Sequence, residues 1–306
     1  MSDFVTVTVA GRALGIAVDA IEEVVRLGAL PPNGHGTRYP AGLGFSPDGR
    51  WLHVAENLGD ALAVIDVARG AVVQRLATRR YPYAVVVAPD GGVYVSAWGA
   101  HVVHAFASTG DATRPLAARA ELAAGRHPSA LLLAAAGTGL FVASASTDRV
   151  LVLDPRDGRP VATLLDPPPA GPAEGSTPNA LALSPDGTRL HVAEGDANAV
   201  GVFALSAGTS GVATATGRDS LVGRVPVGWY PTALAVLGDS LYVANAKGRG
   251  TAPNPDGPAT RGSLERQNTP ASNTTLRQLG GTLQVLPAPR DAELPAYTAR
   301  VARANR

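Results

Sequence analysis

Five times along the chain, a residue followed by proline opens the same succession of short apolar runs and turns. The pairs are Tyr39-Pro40, Tyr81-Pro82, His127-Pro128, Thr177-Pro178 and Tyr230-Pro231, so the prolines stand 42, 46, 50 and 53 residues apart. A first run follows each pair (GLGF, AVVV, ALLL, ALAL, ALAV), then a turn, then a second run (LHVAE, VYVSA, LFVAS, LHVAE, LYVAN). A polar break leads to a third run (ALAVID, HVVHAF, RVLVLD, AVGVFA, TLQVLP), and a fourth such as AVVQRL or PVATLL closes the unit. Ser-Pro-Asp-Gly at 46–49 and 184–187, and Ala-Pro-Asp-Gly at 88–91, supply the first turn: proline presets φ, and Asp-Gly adds a side-chain acceptor and a permissive backbone. The third unit has Ala-Ala-Ala-Gly at 134–137 instead, and the fifth shortens its turn to Gly238-Asp239.

Runs of four to seven β-branched or Leu/Ala residues between turn signals are strands, and Pro and Gly recur too often for helices. Four strands per unit at a period of about 40 to 50 residues predict blades of a propeller. The fold class expected is all-β, a β-propeller of four-stranded antiparallel blades: five complete repeats plus an N-terminal remnant, six or seven blades if complete. The units run 39–80, 81–126, 127–176, 177–229 and 230–290, after a partial blade at 1–38. The near-continuous apolar first runs predict inner strands covered on both faces, and the extra residues of longer units are expected between third and fourth runs. In the remnant, Phe4–Val9 reads as a strand, while Val18–Leu27 fits either a fourth strand at Glu23–Leu27 or a helix. About 30 polar residues within 247–280 predict an exposed loop. From Asp291 the spacing of Leu294, Tyr297 and Val301 predicts a helical linker over 291–306.

Composition closes off several functions. A net charge of +1 with no basic cluster argues against nucleic acid as a partner, and no apolar run is long enough for a membrane span. There is no cysteine, so disulfides, thiol catalysis and Cys-ligated zinc are excluded. The first residues lack the pattern of a signal peptide. No phosphate-binding glycine motif occurs, and no nucleophile elbow: Gly208-Thr209-Ser210-Gly211 has the wrong spacing. Ser96, Ser144 and Ser184 have no His and Asp paired with them by sequence. His101 and His104 are three apart on a strand and so face opposite ways, capping or facing solvent rather than sharing a metal. His53 and His191 occupy the aromatic slot of the second run, where they pack against a neighbouring blade. Asp154-Pro155-Arg156-Asp157-Gly158 reads as a hairpin turn rather than a calcium loop. No metal and no cofactor is expected, and the chain reads as a non-enzyme.

The unit [YH]P-x-A, apolar run, SPDG, LYVAN, V-x-V-[IL]-D resembles the YVTN-type repeat of bacterial β-propellers across residues 39 to 289. The order STPNALALSPDGTRLHVAE, GWYPTALAV, LYVANAKGRG, GTLQVLPAP and LPAYTARV is similar to propellers joined to an alkaline-phosphatase-type phosphoesterase. The resemblance implies a non-catalytic binding or scaffold module, a periplasmic or extracellular setting, and a C-terminal phosphoesterase domain whose junction falls near Leu294–Asn305. It also implies seven blades in a full ring. Two alternatives stand beside it: a lactonase-like propeller hydrolase, and a cell-surface or surface-layer adhesion propeller.

Propellers bind where strand-connecting loops converge on one rim. Here that rim gathers Tyr39, Glu56, Asn57, Tyr81, Trp98, His127, Glu194, Trp229, Tyr230 and Asn245 as an aromatic-and-amide collar for a small-molecule ligand or a protein. Lys247, the sole lysine, stands beside Gly248-Arg249-Gly250 as a candidate contact to the partner domain.

Overall fold

The computed structural model describes residues 4–9, 12–17, 38–134, 137–169, 175–205, 220–248 and 280–305. Strands β1 (Phe4–Val9) and β2 (Arg12–Ala17) form an antiparallel hairpin. Five further sheets follow in chain order. Blade 1 contains β3 (Pro40–Phe45), β4 (Trp51–Glu56), β5 (Ala61–Asp66) and β6 (Ala71–Ala77). Blade 2 contains β7 (Pro82–Val87), β8 (Val93–Ala97), β9 (Val102–Ser108) and β10 (Leu116–Ala123). Blade 3 contains β11 (Pro128–Leu133), β12 (Leu140–Ser144), β13 (Arg149–Leu153) and β14 (Pro160–Leu165). Blade 4 contains β15 (Pro178–Leu183), β16 (Arg189–Glu194), β17 (Ala199–Ala204) and β18 (Ser220–Pro226). Blade 5 has three strands among the described residues, β19 (Pro231–Leu237), β20 (Ser240–Asn245) and β21 (Thr282–Pro287). Helix α1 (Leu294–Ala304) lies on β18 and buries Leu294 and Val301.

Each sheet is an antiparallel meander, so the architecture is the β-propeller of four-stranded blades that the repeats predict. First strands of successive blades lie side by side along the axis. Their approach is close: a Cβ on Gly42 of β3 would sit 2.3 Å from the Tyr83 carbonyl oxygen of β7. The apolar core is a series of seams between blades. Ala55, Leu62 and Val64 meet Val93, Val95 and Phe106 at the first seam, and Phe141, Val150 and Leu164 meet Leu190, Val192 and Phe203 at the third. At the fourth seam Leu294 of α1 joins Val200, Val202, Val225, Leu241 and Val243.

Burial runs differently from the sequence expectation. The first strands are largely half-buried, whereas β5 and β8 are buried along their whole length. The physical reason is position: a first strand is paired on one side only and borders the axis, while second and third strands are sandwiched between neighbouring blades. Extra length also sits differently in the third unit, where residues 166–177 follow the fourth strand rather than precede it. In the third unit, which lacks Ser-Pro-Asp, Gly137 N–H donates to the Ala134 carbonyl at 2.7 Å, as Gly49 does to Ser46 and Gly187 to Ser184, each at 2.9 Å. The two readings of Val18–Leu27, Gly208–Gly211, and most of 247–280 lie outside the described residues.

His53 and His191 are buried in the aromatic slot of the second strand, as predicted. Loss of hydration pulls both imidazoles down to about 4. Folded, they stay neutral below pH 6.5, while the unfolded chain takes up protons there. Their contribution is therefore complete above about pH 6.5 and is lost as pH falls toward 4. The double variant His53→Phe/His191→Phe, using the ring that Phe141 supplies in blade 3, should flatten this decline. Urea unfolding at pH 7 and pH 4.5 should show the difference between the two stabilities shrink by about 5 kcal/mol.

Candidate functional site

The residue before each proline has a left-handed backbone: Tyr39, Tyr81, His127, Thr177 and Tyr230 have φ between 46° and 62°. Such a conformation is costly for a residue with a Cβ, so its hydrogen bonds must offset the strain. Its carbonyl accepts, within the blade, from the first residue after the second strand: Asn57 N–H to Tyr39 at 2.9 Å, Trp98 N–H to Tyr81 at 2.8 Å and Gly195 N–H to Thr177 at 3.0 Å. Just after each proline the pairing of first and second strands shifts register, a repeated bulge that takes the proline carbonyl out of the ladder.

Two side-chain latches from the preceding blade satisfy the remaining groups. In the first, an Asp or Asn, itself left-handed in the turn before the third strand, accepts from the pre-proline N–H. Asp60 accepts from Tyr81 at 2.9 Å, Asp148 from Thr177 at 3.1 Å and Asn198 from Tyr230 at 2.9 Å. Asp and Asn suit this backbone because they tolerate φ above zero. In the second latch a side chain donates to the proline carbonyl: Asn57 to Pro82 at 3.1 Å, Ser129 to Pro178 at 2.6 Å and Asn179 to Pro231 at 3.4 Å.

The seam between blades 2 and 3 breaks both rules. His101 stands in the left-handed position held elsewhere by Asp or Asn, and Tyr83 stands in the slot of Ser129 and Asn179. Rings occupy the seam instead. The His127 imidazole stacks on Trp98 with centroids 4.0 Å apart, and His101 meets it edge-on at 5.7 Å. His127 Nδ1 lies 2.5 Å from Ser146 Oγ. Partial burial, with help from the neighbouring His101 and Arg126, holds this imidazole below its ordinary value, so it is a neutral base at neutral pH. Beside the pair opens a cleft of about 560 Å³, whose lining includes Tyr83, Trp98, Ser146, Asp148, Asp196 and Tyr230. In the next blade Thr177 and Asp196 occupy the positions of His127 and Ser146, with the Thr177 hydroxyl donating to the carboxylate.

The predicted collar divides. Trp98 and Tyr230 line the cleft, and His127 reaches it through Ser146. Tyr39, Tyr81 and Trp229 are exposed on the rim and Asn57 is half-buried, outside the cleft lining. Glu56, Glu194 and Asn245 are not collar residues: they are 0%, 0% and 3% exposed. Each ends its second strand opposite the proline of its own blade, where it is turned into the structure. Glu56 takes Arg75 and Arg38 at 3.1 and 3.0 Å, and Asn245 donates to Gln284 at 3.0 Å. Glu194 takes Arg224 at 2.7 Å, and Arg224 also reaches Asp166 at 3.3 Å. Burial, and then the charge of Glu194, push the Asp166 carboxyl well above the usual carboxylate range. Lys247 lies over Trp229 and Tyr230, 5.1 and 4.9 Å from their centroids.

Of the two readings of His104, capping or facing solvent, the structure shows the first. It is buried, and its Nε2 accepts the Arg79 N–H at 2.8 Å. Among the described residues no group of three or more His, Cys, Asp or Glu could hold a metal ion, and no helix is long and apolar enough to cross a membrane. Tyr83, His101, Ser146, Asp148 and Asp196 belong to the site although the sequence does not place them in the collar. Aligning the units on their prolines carries the missing signal, because Ser146 and Asp196 each fall 19 residues after the pre-proline residue.

The buried Arg224 has little access to water, and Glu194→Ala leaves it Asp166 alone as a counter-ion at 3.3 Å, so the variant should cost about 3 kcal/mol in urea unfolding, the low end for a broken buried pair. Glu56→Ala should cost clearly less, because Arg38 and Arg75 are about one-third exposed and can rehydrate.

No family model matches the sequence, and no curated protein matches it. Solved structures do: 1241 chains match. Hydrazine synthase of Kuenenia stuttgartiensis is similar at 22% identity over 71% of this chain and 59% of that one, with a TM-score of 0.53. A putative 6-phosphogluconolactonase from Bacteroides uniformis matches at 18% identity over 67% and 62%, with a TM-score of 0.56. Virginiamycin B lyase from Staphylococcus aureus matches at 16% over 79% and 70%, with a TM-score of 0.52, and a catalytically inactive histidine-to-alanine form of that lyase was solved with quinupristin. The chain thus spans about six-tenths of the first two structures. These identities establish the propeller fold. They also correct the expectation of a non-enzyme, since the fold carries named enzymes among these neighbours and a seam can assemble a Ser–His pair that no linear motif reveals.

Proposed function

We propose that the rim cleft lined by residues of blades 2 to 5 binds a small cyclic ester and opens it by hydrolysis, with His127 as general base. The observation that carries this reading is the His127 Nδ1 to Ser146 Oγ contact of 2.5 Å, made where both latches of the repeat are missing. The likeness to a putative 6-phosphogluconolactonase, a protein named for a lactone substrate, supports the choice of ester. So does the lining: Trp98, Tyr83 and Tyr230 offer flat faces to a ring, and Asp148 and Asp196 accept from hydroxyls.

In the reaction His127 takes the Ser146 proton as Oγ attacks the carbonyl carbon. The ring C–O bond breaks, and the departing alkoxide takes the proton back from the imidazolium. Water, deprotonated by the same imidazole, then releases the open-chain hydroxy acid and restores the serine. The net change is addition of one water. Lys247, held against Tyr230, offers a cation to an acidic substituent on the substrate.

Assays with gluconolactone and its 6-phosphate, corrected for spontaneous hydrolysis, test the reading. His127→Ala and Ser146→Ala should each lower kcat by about 10² or more. The rate should rise with pH through an apparent pKa below 6.5 and then level off, because the neutral imidazole is the active form. Lys247→Ala should raise KM for the phosphorylated lactone and leave the neutral one unchanged. Absence of turnover above background, or turnover indifferent to His127→Ala, rejects the proposal.

The likeness of the repeats to YVTN propellers joined to phosphoesterases supports a wider setting for this site: a longer extracytoplasmic protein with a phosphoesterase following α1. Sequencing the gene beyond the codon for Arg306 tests that, and a reading frame without metal-binding Asp and His residues removes it.

A further inference from the structure

A second cavity opens at the seam of blades 1 and 2, at the end of the blades that carries the Ser-Pro-Asp-Gly turns. Its origin is legible by comparison with the next seam. There the second-strand aromatic is Tyr94, whose hydroxyl donates to the Pro155 carbonyl in blade 3 at 3.0 Å and accepts from Arg119 at 3.0 Å. In blade 1 the same slot holds His53, a shorter ring without the hydroxyl. The space that the tyrosine hydroxyl and its arginine fill at one seam is, at the other, a cavity of about 330 Å³. The loop between the third and fourth strands of blade 2, the counterpart of the turn carrying Pro155, forms its far wall with Ser108, Gly110 and Asp111.

Two independent features of this cavity point to a ligand. His53 is 1% exposed, lines the cavity, and neither of its ring nitrogens has a partner, although a buried polar atom ordinarily finds one. The charged lining is also predominantly acidic: Asp48, Asp90 and Asp111 stand against Arg50 alone. Arg50 is itself folded over the Trp51 ring at 4.4 Å. Asp48 is held ionised by the Ser46 hydroxyl, and Asp111 by the Thr113 N–H and hydroxyl. An anion would meet these carboxylates and is disfavoured. A cation carrying N–H donors can serve both the carboxylates and an imidazole lone pair.

We infer that this cavity is a binding site for a small protonated amine, which donates to a ring nitrogen of His53 and is held by Asp48, Asp90 and Asp111. It is separate from the rim cleft and independent of the reaction proposed there. Calorimetric titration of the whole chain with putrescine, glucose and inorganic phosphate tests it. Putrescine should bind saturably at one site, and neither glucose nor phosphate should bind or compete. His53→Tyr, which restores the residue type that blades 2 and 5 carry as Tyr94 and Tyr242, should fill the cavity and weaken putrescine at least tenfold. Asp111→Asn, on an exposed loop where folding is not at stake, should weaken it severalfold. Following the His53 ring protons by NMR places the site, since they should shift with putrescine in the unsubstituted chain. No saturable binding, binding of glucose or phosphate in its place, or putrescine affinity unchanged in both variants overturns the inference.

Discussion

Every blade of this propeller meets the next through a backbone conformation that side-chain-bearing residues avoid. The pre-proline residue is left-handed, and its carbonyl, its N–H and the following proline carbonyl all leave the ordinary strand ladder. Unpaired, they would cost the fold at each seam. A carboxylate or amide from the preceding blade, and a small polar side chain beside it, restore the pairing at most seams. The apolar contacts between second and third strands supply the bulk of the cohesion, but these polar latches set how one blade is rotated against its neighbour. The rim loops, and hence any site they form, inherit their positions from that setting.

At the seam between blades 2 and 3 the latch is given up. His101 cannot do what Asp60, Asp148 and Asn198 do, and Tyr83 cannot do what Ser129 and Asn179 do. Stacking of Trp98 on His127 substitutes ring contact for hydrogen bonding, and leaves the His127 imidazole free to engage Ser146. The pre-proline side chain pairs with the residue 19 positions on whether the latches are present, as at Thr177 and Asp196, or missing, as at His127 and Ser146. What the lapse adds is the aromatic surround of Trp98 and His101 about the imidazole.

Sequence periodicity carried most of the fold. The spacing of the prolines and the alternation of apolar runs with turns placed nearly every described strand, because local turn chemistry and strand length are written in adjacent residues. The burial of first against second strands was not legible, since it depends on which strand lies next to the axis. The site was half legible. Trp98, His127 and Tyr230 follow from being aromatic at loop positions. Glu56 and Glu194 misled for the converse reason: a carboxylate at a strand end looks like a rim ligand until its arginines, Arg75 and Arg224, come into register from the fourth strand. Ser146 carries no local mark at all, and its importance comes from a partner in the preceding loop.

The left-handed pre-proline position also bears on how such a protein can change over time. Tyr, Tyr, His, Thr and Tyr occupy it in five blades with nearly the same φ, so proline and the latch fix the backbone whatever side chain is present. Each seam is then a vacant lot with a surveyed boundary: substitutions at the pre-proline position and at the residue 19 further on can place a reactive pair at another seam without redesign of the loop. Duplication of blades would multiply such positions before any of them acquired chemistry.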